Sequence, residues 1–236
     1  MTLSFKALSV AAGLAVAVML GSIADHADAS DKATKKKGKP AIGDMVTVPA
    51  GKFIFGPTES QKTMELPAFS VDAYEVTNGQ YAKFKPEFKF PAGQENHPVV
   101  EVSWFEADAF CKSLGKRLPT EEEWEKAARG TDGRIYPWGN DADDPDKCAN
   151  VSEVGVGEPL PVGEFEKGKS PYGAMDMGGN VWEWTASYFK DDQRYAILRG
   201  GSYFEDCSFS KTFSTIRSIP DDRKGYVGFR CVKDAK

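Results

Sequence analysis

The chain has 236 residues, with 30 lysines and arginines against 35 aspartates and glutamates, a formal net charge of −5. This acidic balance argues against nucleic acid as a partner, because affinity for a polyanion rests largely on basic side chains. Once a removable N-terminal segment is set aside, the length suits one domain of ordinary size, which can bury its own core.

The first 29 residues have the pattern of a secretory signal peptide. Lys6 supplies the positive start, residues 11–24 form a short apolar run, and Ala27 and Ala29 give a small-residue cleavage site before Ser30. A retained membrane anchor is the alternative, but the run is shorter than a transmembrane helix needs, and no later segment qualifies. The pattern predicts a periplasmic or secreted protein with no membrane span after signal cleavage.

Residues 30–43 are rich in lysine and contain glycine and proline. This composition predicts a disordered tether. A solvated linker is a simpler interpretation of its lysines than an arm that binds nucleic acid. The folded domain is therefore predicted to occupy residues 44–236.

Local patterns predict short strands followed by three capped helices. Residues 45–55 suggest two strands around a Pro-Ala-Gly turn, and residues 68–75 suggest another. In a capping box, a hydroxyl caps the first turn and a Glu or Gln three residues later reaches back. Such boxes occur at Thr77 with Gln80, Ser103 with Glu106, and Thr120 with Glu123. The helices should end before Pro86, at Gly115 and at Gly130.

Apolar spacing predicts which helix faces enter the core. On the second helix we expect Phe105, Ala109 and Leu114 to face inward, and on the third helix Trp124 and the alanines of residues 127–128. The chain from Gly130 to Ser170 is punctuated by Gly, Pro, Asp and Asn. Short strands follow near Trp182, Leu198 and Phe229. The whole pattern predicts an α+β fold with low regular secondary structure and long ordered loops.

Cysteine and histidine limit the possible chemistry. The four cysteines are Cys111, Cys148, Cys207 and Cys231, and none forms a CxxC pair, so a zinc ribbon or thioredoxin-type site is not favoured. In an oxidising compartment, an even and dispersed set predicts two disulfides, and all three connectivities remain open. His97 is the one imidazole beyond the signal peptide. We expect it to be structural, since a two-histidine metal site is impossible and a Ser-His-Asp triad would need His97 itself.

Two acidic segments are candidates for calcium. In the run of residues 176–184, Asp176 and Glu183 offer carboxylates, and Gly179 and Val181 offer carbonyls, all hard oxygens that suit calcium. From the residues alone, carboxylates that cap turn amides beside core tryptophans are the favoured interpretation. Residues 140–146 resemble the start of a calcium loop but lack its glycine and distal glutamate, which favours a solvated acidic loop.

The stretch from Phe204 to Arg217 is the candidate reactive segment. Glu205, Ser210 and Arg217 offer an acid–base group, a hydroxyl and a guanidinium. Alternatively, the arginines at 199, 217 and 230 could form structural ion pairs with the acids of this region. A free Cys207 could be a nucleophile, but a disulfide is favoured in an exported protein.

Several sequence blocks, in order, carry a family resemblance. They include VSWFEADAFCKSLGKRLPTEEEWEKAARG, YPWGN, GGNVWEWTASYF, LRGGSYF and VGFRC. From about Asp44 to Val232 the chain resembles the formylglycine-generating enzyme (sulfatase-modifying factor) family. The resemblance implies a C-type-lectin-like α+β fold.

The resemblance also implies structural calcium and specific disulfides. One calcium site would use Asp176, Gly179, Val181 and Glu183, which favours calcium over capping for this segment. A second site would begin at Asn150 and the carbonyl of Val151, although the loop that should complete it is short here. The implied disulfide is Cys111–Cys231, which leaves Cys148–Cys207 as the second.

The chain departs from the family at the copper site. Formylglycine-generating enzymes bind copper(I) through two cysteines. The first cysteine lies two positions after the GGSY block, and the second lies five positions after the first. Glu205 and Ser210 occupy these positions here, which we call the copper positions. Neither side chain supplies the soft thiolate that copper(I) prefers, so copper is not expected.

Three functional hypotheses follow. The favoured one is a non-catalytic binding or accessory maturation factor of the periplasm, whose partner is a protein or a small ligand. The alternative is a copper-independent oxidoreductase or tailoring enzyme that uses Glu205, with Ser210 and Arg217 beside it. The third is a true formylglycine-generating oxidase that acts on a sulfatase cysteine through a site built on Cys207.

Overall fold

The computed structural model describes residues 39–141 and 150–235. All of them belong to one compact unit. The predicted signal peptide, most of the predicted tether, most of the acidic loop and Cys148 lie outside the described residues. Expectations about those segments therefore remain predictions.

Short elements joined by long loops form the described part of the chain. The helices are α1 (Asn78–Phe84), α2 (Trp104–Ser113) and α3 (Glu121–Arg129). The strands are β1 (Met45–Val48), β2 (Gly51–Phe55), β3 (Lys62–Leu66), β4 (Phe69–Asp72), β5 (Trp182–Tyr188), β6 (Ala196–Arg199), β7 (Thr215–Ser218), β8 (Val227–Gly228) and β9 (Val232–Asp234). Short 3-10 turns lie at Thr58–Ser60, Ser152–Val154, Glu166–Gly168 and Cys207–Ser210.

The strands form three small sheets. β1, β4 and β9 form a three-stranded antiparallel sheet with β4 in the centre, and β2 pairs with β3 as a hairpin. The third sheet has the order β7-β6-β5-β8, with β5 and β8 parallel. β3 and β7 lie outside the strands expected from sequence, whereas the two strands within residues 45–55 are confirmed.

All three predicted capping boxes are present. In each, the hydroxyl of Thr77, Ser103 or Thr120 accepts the amide of the third helical residue, whose side chain accepts the cap amide. Each helix therefore starts where local sequence places it, because the cap satisfies amides that lack an intrahelical partner. The helices also end close to the expected glycine and proline positions.

The predicted inward face of α2 is wrong. Phe105 and Leu114 are both about half exposed, and Ala109 is exposed too. The buried residues of this helix are Ala107, Phe110 and Cys111. The helix carries apolar residues on two faces. The four-stranded sheet packs against the face that carries Ala107, Phe110 and Cys111, not against the face that carries Phe105. On α3 the expected Trp124 and alanine face is confirmed, with all three side chains fully buried.

Two large apolar clusters and a smaller third one, around Tyr74 and Met175, fill the interior of the described part of the chain. One joins α1 and α2 to the four-stranded sheet, with Trp182, Trp184 and Phe229 at its centre. The other packs α3 against the three-stranded sheet through residues such as Trp124 and Val71. A disulfide between Cys111 of α2 and Cys231, with Cα atoms 5.6 Å apart, lies within the first cluster. This is the pair that the family resemblance implies.

Buried charges hold α3 in place. Glu125 is fully buried and accepts hydrogen bonds from Arg129 (2.8 Å), Arg199 (3.1 Å) and the amide of Gly56 (2.7 Å). Lys126, also fully buried, donates to the carbonyls that flank the turn between β1 and β2. Such groups need partners, because an unpaired buried charge is costly. Through these hydrogen bonds α3 holds the β2–β3 hairpin and strand β6 in place.

No helix among the described residues is long and apolar enough to cross a bilayer.

Replacing Glu125 by glutamine should destabilise the domain by about 3 kcal/mol or more, because two buried guanidinium groups lose their shared charge partner. Urea unfolding measures the difference. Glu122, on the same helix and without an ion pair among the described residues, gives the matched control. Glu122→Gln should change the unfolding free energy by less than about 0.5 kcal/mol. Equal effects of the two substitutions would contradict this role of Glu125.

Candidate functional site

Glycines shape the turn that carries Glu205. Gly200 and Gly201 follow β6 with positive φ angles of 107° and 78°, which glycine adopts without steric cost. A Cβ atom on Gly201 would lie 3.0 Å from the carbonyl oxygen of Phe209. Glycine therefore allows the Cys207–Ser210 turn to pack directly against the end of β6.

Glu205 has both carboxylate oxygens occupied by donors. The indole Nε1 of Trp182 donates to one oxygen at 3.1 Å, and the hydroxyl of Ser202 donates to the other at 2.5 Å. Trp182 and Ser202 are fully buried, whereas Glu205 itself is half-buried. The carboxylate is thus anchored to the floor formed by β5 and the turn after β6.

Ser210, the second copper position, is fully buried, and its hydroxyl has no hydrogen-bond partner within the described ranges. A Cβ atom on Gly178 would lie 3.1 Å from the carbonyl oxygen of Ser210. The close backbone contact places Ser210 beneath the surface. Its hydroxyl does not reach solvent or the Glu205 carboxylate.

Arg217 lies in a different set of contacts from Glu205. It is exposed on β7, where its guanidinium stacks on the rings of Phe189 (4.6 Å) and Tyr195 (5.1 Å). Such cation–π contacts at exposed sites contribute modestly to stability. The structure therefore brings together Glu205, Ser202 and Trp182 but does not add Arg217 to them.

The expected pairing of nearby arginines with the acids of the 205–222 segment is wrong. Arg199 bonds Glu121 and Glu125 of α3, and Arg230 bonds Glu183. Both guanidinium groups are buried, so they take buried carboxylates from distant elements. These arginines belong to the scaffold.

Two exposed aromatic side chains and one half-buried tyrosine lie near the turn that carries Glu205. Phe204 is 71% exposed and stacks on Tyr226 with ring centroids 6.2 Å apart. Phe209 is 40% exposed and meets the edge of Trp182 at 6.3 Å. We call Phe204, Phe209 and Tyr226 the aromatic rim. Apolar groups in this arrangement, rimmed by polar residues, are typical of an interaction surface.

Cys207 lies next to the segment that follows Cys148. Its amide donates to the carboxylate of Glu153 (3.0 Å), and the amide of Ser152 donates to the carbonyl of Glu205 (2.9 Å). These contacts bring residues 152–153 against the Cys207 turn. Because Cys148 is outside the described residues, the Cys148–Cys207 disulfide remains a prediction.

His97 shows no catalytic partnership. Its Nδ1 is buried and has no hydrogen-bond partner in residues 39–141 and 150–235. Its backbone carbonyl accepts the amide of Asn78 at the start of α1. A Ser-His-Asp triad requires a carboxylate on Nδ1, and the described residues place none there.

Three carboxylates and one guanidinium share the buried region below β5. Glu183 accepts from Arg230 through both oxygens at 2.7 Å and also from the indole of Trp124 at 2.8 Å. Among the described residues, Glu75 accepts only from the side-chain amide of Asn180, at 3.2 Å. Asp176 accepts the amide of Gly163 at 2.6 Å. All three carboxylates are nearly or fully buried, so negative charge is in excess.

The electrostatics reflect this excess. Burial, together with the charges of Asp176 and Glu183, raises the pKa of Glu75 well above its usual range. Burial and Glu183 also raise the pKa of Asp176 to about 6. A cation in this region would relieve the cost of holding both groups ionised.

Asn150 offers an unsatisfied oxygen beside this region. Its Nδ2 donates to the carbonyl of Glu158 at 2.7 Å, but its buried Oδ1 has no donor among the described residues. The amide of Asn180 donates to the carbonyl of Asn150. Asp176 and Asn180 have positive φ angles of 56° and 62°, which is uncommon and concentrated at binding sites.

The donor set fits a hard cation in part. Asn150 and Asp176 supply oxygens of the kind that calcium prefers, whereas Glu183 is already engaged by Arg230 and Trp124. Within the described part of the chain, no three His, Cys, Asp or Glu side chains converge as they would around a metal. Any calcium site would therefore rely on amide and carbonyl oxygens, including those of residues 179, 181 and 151.

Glu75 is the main charged residue of this region that sequence reasoning missed. It lies between Tyr74 and Val76 in a run that is otherwise buried. A lone acid within an apolar segment is a usable signal, because buried carboxylates need a partner. The partner, Asn180, is 105 residues away, so spacing alone does not identify it.

Few regular elements, long ordered loops and a site carried on glycine-rich turns define an α+β, C-type-lectin-like domain. The chain belongs to the sulfatase-modifying factor family, since the model of the sulfatase-modifying factor enzyme 1-like domain matches residues 30–235. The fold class expected from the sequence is therefore confirmed.

Curated relatives include active and inactive members. The inactive C-alpha-formylglycine-generating enzyme 2 of Bos taurus is 40% identical over 154 residues, covering 58% of this chain and 50% of that protein. The formylglycine-generating enzyme of Streptomyces coelicolor is 36% identical over 174 residues, covering 61% and 54%. The uncharacterized Bacillus subtilis protein YfmG is 30% identical over 266 aligned positions, covering 80% and 54%. The chain spans about half the length of these relatives.

Solved structures share the fold. PvdO from Pseudomonas aeruginosa is 24% identical with a TM-score of 0.70, and the match covers 81% of this chain and 94% of that one. CarF is 24% identical with a TM-score of 0.69, and the match covers 82% and 98%. At this identity the likeness describes architecture only.

Proposed function

We propose that this protein is an exported, non-catalytic member of the family that acts as a binding or accessory maturation factor in the periplasm. The observation that carries the proposal is that Glu205 and Ser210, instead of two cysteines, occupy the copper positions. Glu205 cannot ligate copper(I) as a thiolate would, and both of its oxygens are held by Trp182 and Ser202. The N-terminal sequence pattern supports export.

Ser210 supports the same conclusion. Its buried hydroxyl, 0% exposed at the residue level, lies out of reach of a substrate. With Arg217 stacked on Phe189 and Tyr195, a copper-independent enzyme would depend on Glu205 alone. A general acid or base works best with a free oxygen directed at the substrate, and the two donors on Glu205 oppose this.

The aromatic rim supports binding as the retained activity. Phe204 is exposed at the edge of the position where the family's chemistry occurs. Exposed aromatic residues around an anchored polar group are typical of the central part of protein interfaces. The name of the inactive relative from Bos taurus is consistent with a family branch that lost catalysis and kept its scaffold.

We also propose structural calcium at two sites. The first would use Asp176, the carbonyls of Gly179 and Val181, and Glu183, which would share its carboxylate with Arg230; the excess of buried carboxylates supports a hard cation there. The second would begin at Asn150 and the carbonyl of Val151, and the orphan Oδ1 of Asn150 supports it. The ion at the first site would supply positive charge that offsets the buried acids.

Copper chemistry provides the first test. The protein, reduced and exposed to copper(I), should convert no cysteine to formylglycine in a CxPxR peptide, as judged by mass spectrometry. The Streptomyces coelicolor enzyme, assayed in parallel, is the positive control. The double variant Glu205→Cys with Ser210→Cys should gain one tightly bound copper(I) that the parent lacks. Aldehyde formed by the unmodified protein would end the proposal of a non-catalytic role.

Partner binding provides the second test. Phe204→Ser should reduce affinity-captured partner from a periplasmic extract at least about tenfold, since an exposed aromatic anchor contributes about 2 kcal/mol at an interface. Glu205→Gln keeps the size of the side chain; its amide oxygen can accept from Trp182 and its amide N–H can donate to the Ser202 hydroxyl, so capture should persist. Loss of a cellular reaction product with Glu205→Gln, together with unchanged capture by Phe204→Ser, would instead favour the enzyme alternative.

Calcium provides the third test. At a hundredfold excess over its Kd, calcium should raise the melting temperature by about 5–10 °C, and EDTA should reverse the gain. Asn150→Ala should abolish the part of the calcium-dependent increment that comes from the second site. Asp191→Asn, an exposed substitution elsewhere, should leave the increment unchanged. A melting temperature that changes with neither calcium nor EDTA would contradict the proposed calcium binding.

A further inference from the structure

The first described residues of the chain form a strap beside the buried carboxylates. We call residues 39–44 the strap. The carbonyl of Pro40 accepts the hydroxyl of Tyr74 at 2.8 Å, and the carbonyl of Asp44 accepts the amide of Ala73 at 2.9 Å. We call the three carboxylates below β5 the acid cluster: Glu75, Asp176 and Glu183. The strap is therefore held against the segment that leads into the first carboxylate of this cluster.

Gly163 connects the strap to the acid cluster. Its amide donates to the carboxylate of Asp176 at 2.6 Å. A Cβ atom placed on Gly163 would lie 2.9 Å from Cε and 3.2 Å from Nζ of Lys39. The φ angle of Gly163 is 79°, a conformation that glycine adopts without steric cost. Glycine thus leaves room for the Lys39 side chain to lie against the backbone that holds Asp176.

The ammonium of Lys39 brings positive charge to a region with an excess of buried carboxylates. Arg230 belongs to that region, but it already bonds both oxygens of Glu183. Asp176 accepts from a backbone amide, which is a neutral donor. Burial raises the pKa of Asp176, whereas the charges of Arg230 and Lys39 act in the opposite direction. Lys39 is therefore a resident counter-charge of Asp176.

A divalent cation bound by Asp176 would lie in the field of Lys39. Like charges repel, and the buried Gly163 rather than bulk water lies between Lys39 and Asp176, so solvent screens this repulsion only in part. The Lys39 side chain is exposed, so its ammonium can turn into solvent when an ion binds. The ammonium and the ion therefore compete for the same carboxylate.

We propose that Lys39 is a built-in competitor of the cation at Asp176, through which the strap sets the calcium affinity of this site. The inference rests on the first of the two proposed calcium sites. Coupling between two ligands is reciprocal, so a bound ion weakens the docking of Lys39 by the same factor that Lys39 weakens ion binding. Calcium would thereby loosen the start of the folded domain from the acid cluster.

Calorimetric titration with calcium in low salt tests the competition. Lys39→Gln should raise the affinity of one class of calcium sites about fivefold, because it removes a positive charge close to the bound ion. Lys39→Arg keeps the charge and should bind calcium as the unmodified protein does. Lys52→Gln removes an exposed lysine of β2, and this control for net charge should change the affinity less than about twofold.

Salt separates the effect of charge from an effect of packing. In about 1 M KCl the advantage of Lys39→Gln should fall below about twofold, because the Debye length shrinks to about 3 Å. NMR follows the strap itself. Without calcium, the Lys39 methylene protons should show nuclear Overhauser contacts to the α-protons of Gly163, and saturating calcium should weaken these contacts at least about twofold.

The outcomes distinguish this inference from the calcium proposal on which it rests. Calcium binding with equal affinity by Lys39→Gln and the unmodified protein would overturn the competition and leave the calcium site intact. Calcium binding by neither protein would overturn both. A gain in Lys39→Gln that persists at high salt would also overturn the competition, since a contest between charges must weaken as salt rises.

Discussion

The buried pair between Glu183 and Arg230 is the interaction on which the rest of the structure depends. Arg230 donates to both oxygens of Glu183 and also to the carbonyls of Asp72 and Met175. One guanidinium thus joins β5, the end of β4 and a loop from a third part of the chain. A buried pair adds little net stability compared with an apolar replacement, but loss of one partner costs about 3–5 kcal/mol. It therefore specifies which arrangement of loops is allowed.

Local features of the fold could be predicted from sequence, and long-range features could not. Each capping box is complete within four residues, so the helix starts follow from sequence alone. The inward face of α2 could not be chosen, because Phe105 and Phe110 lie on two different apolar faces and only the position of the sheet decides between them. β7 was missed for a similar reason, since its residues are mostly exposed and its pairing with β6 is set by tertiary contacts.

The candidate site divides in the same way. The family resemblance located Glu205 and Ser210, but their contacts needed the structure. The indole of Trp182 and the hydroxyl of Ser202 come from separate blocks of the sequence. Arg217 is close in sequence to Ser210, yet β7 directs it to Phe189 and Tyr195. Proximity along the chain is a poor guide where loops, rather than helices, carry the side chains.

The glycines beneath the Cys207–Ser210 turn have a wider consequence. A Cβ atom on Gly178 or Gly201 would lie only 3.1 or 3.0 Å from the backbone oxygens of residues 210 and 209, a contact tighter than most. These glycines therefore fix the course of the turn whatever side chains it carries at positions 205 and 210. The loss of a reactive cysteine pair at positions 205 and 210 therefore need not disturb folding. Putting such a pair back need not disturb folding either. A scaffold of this kind can lose or gain a reactive pair through two residue changes, which gives a physical basis for a family that contains active and inactive members.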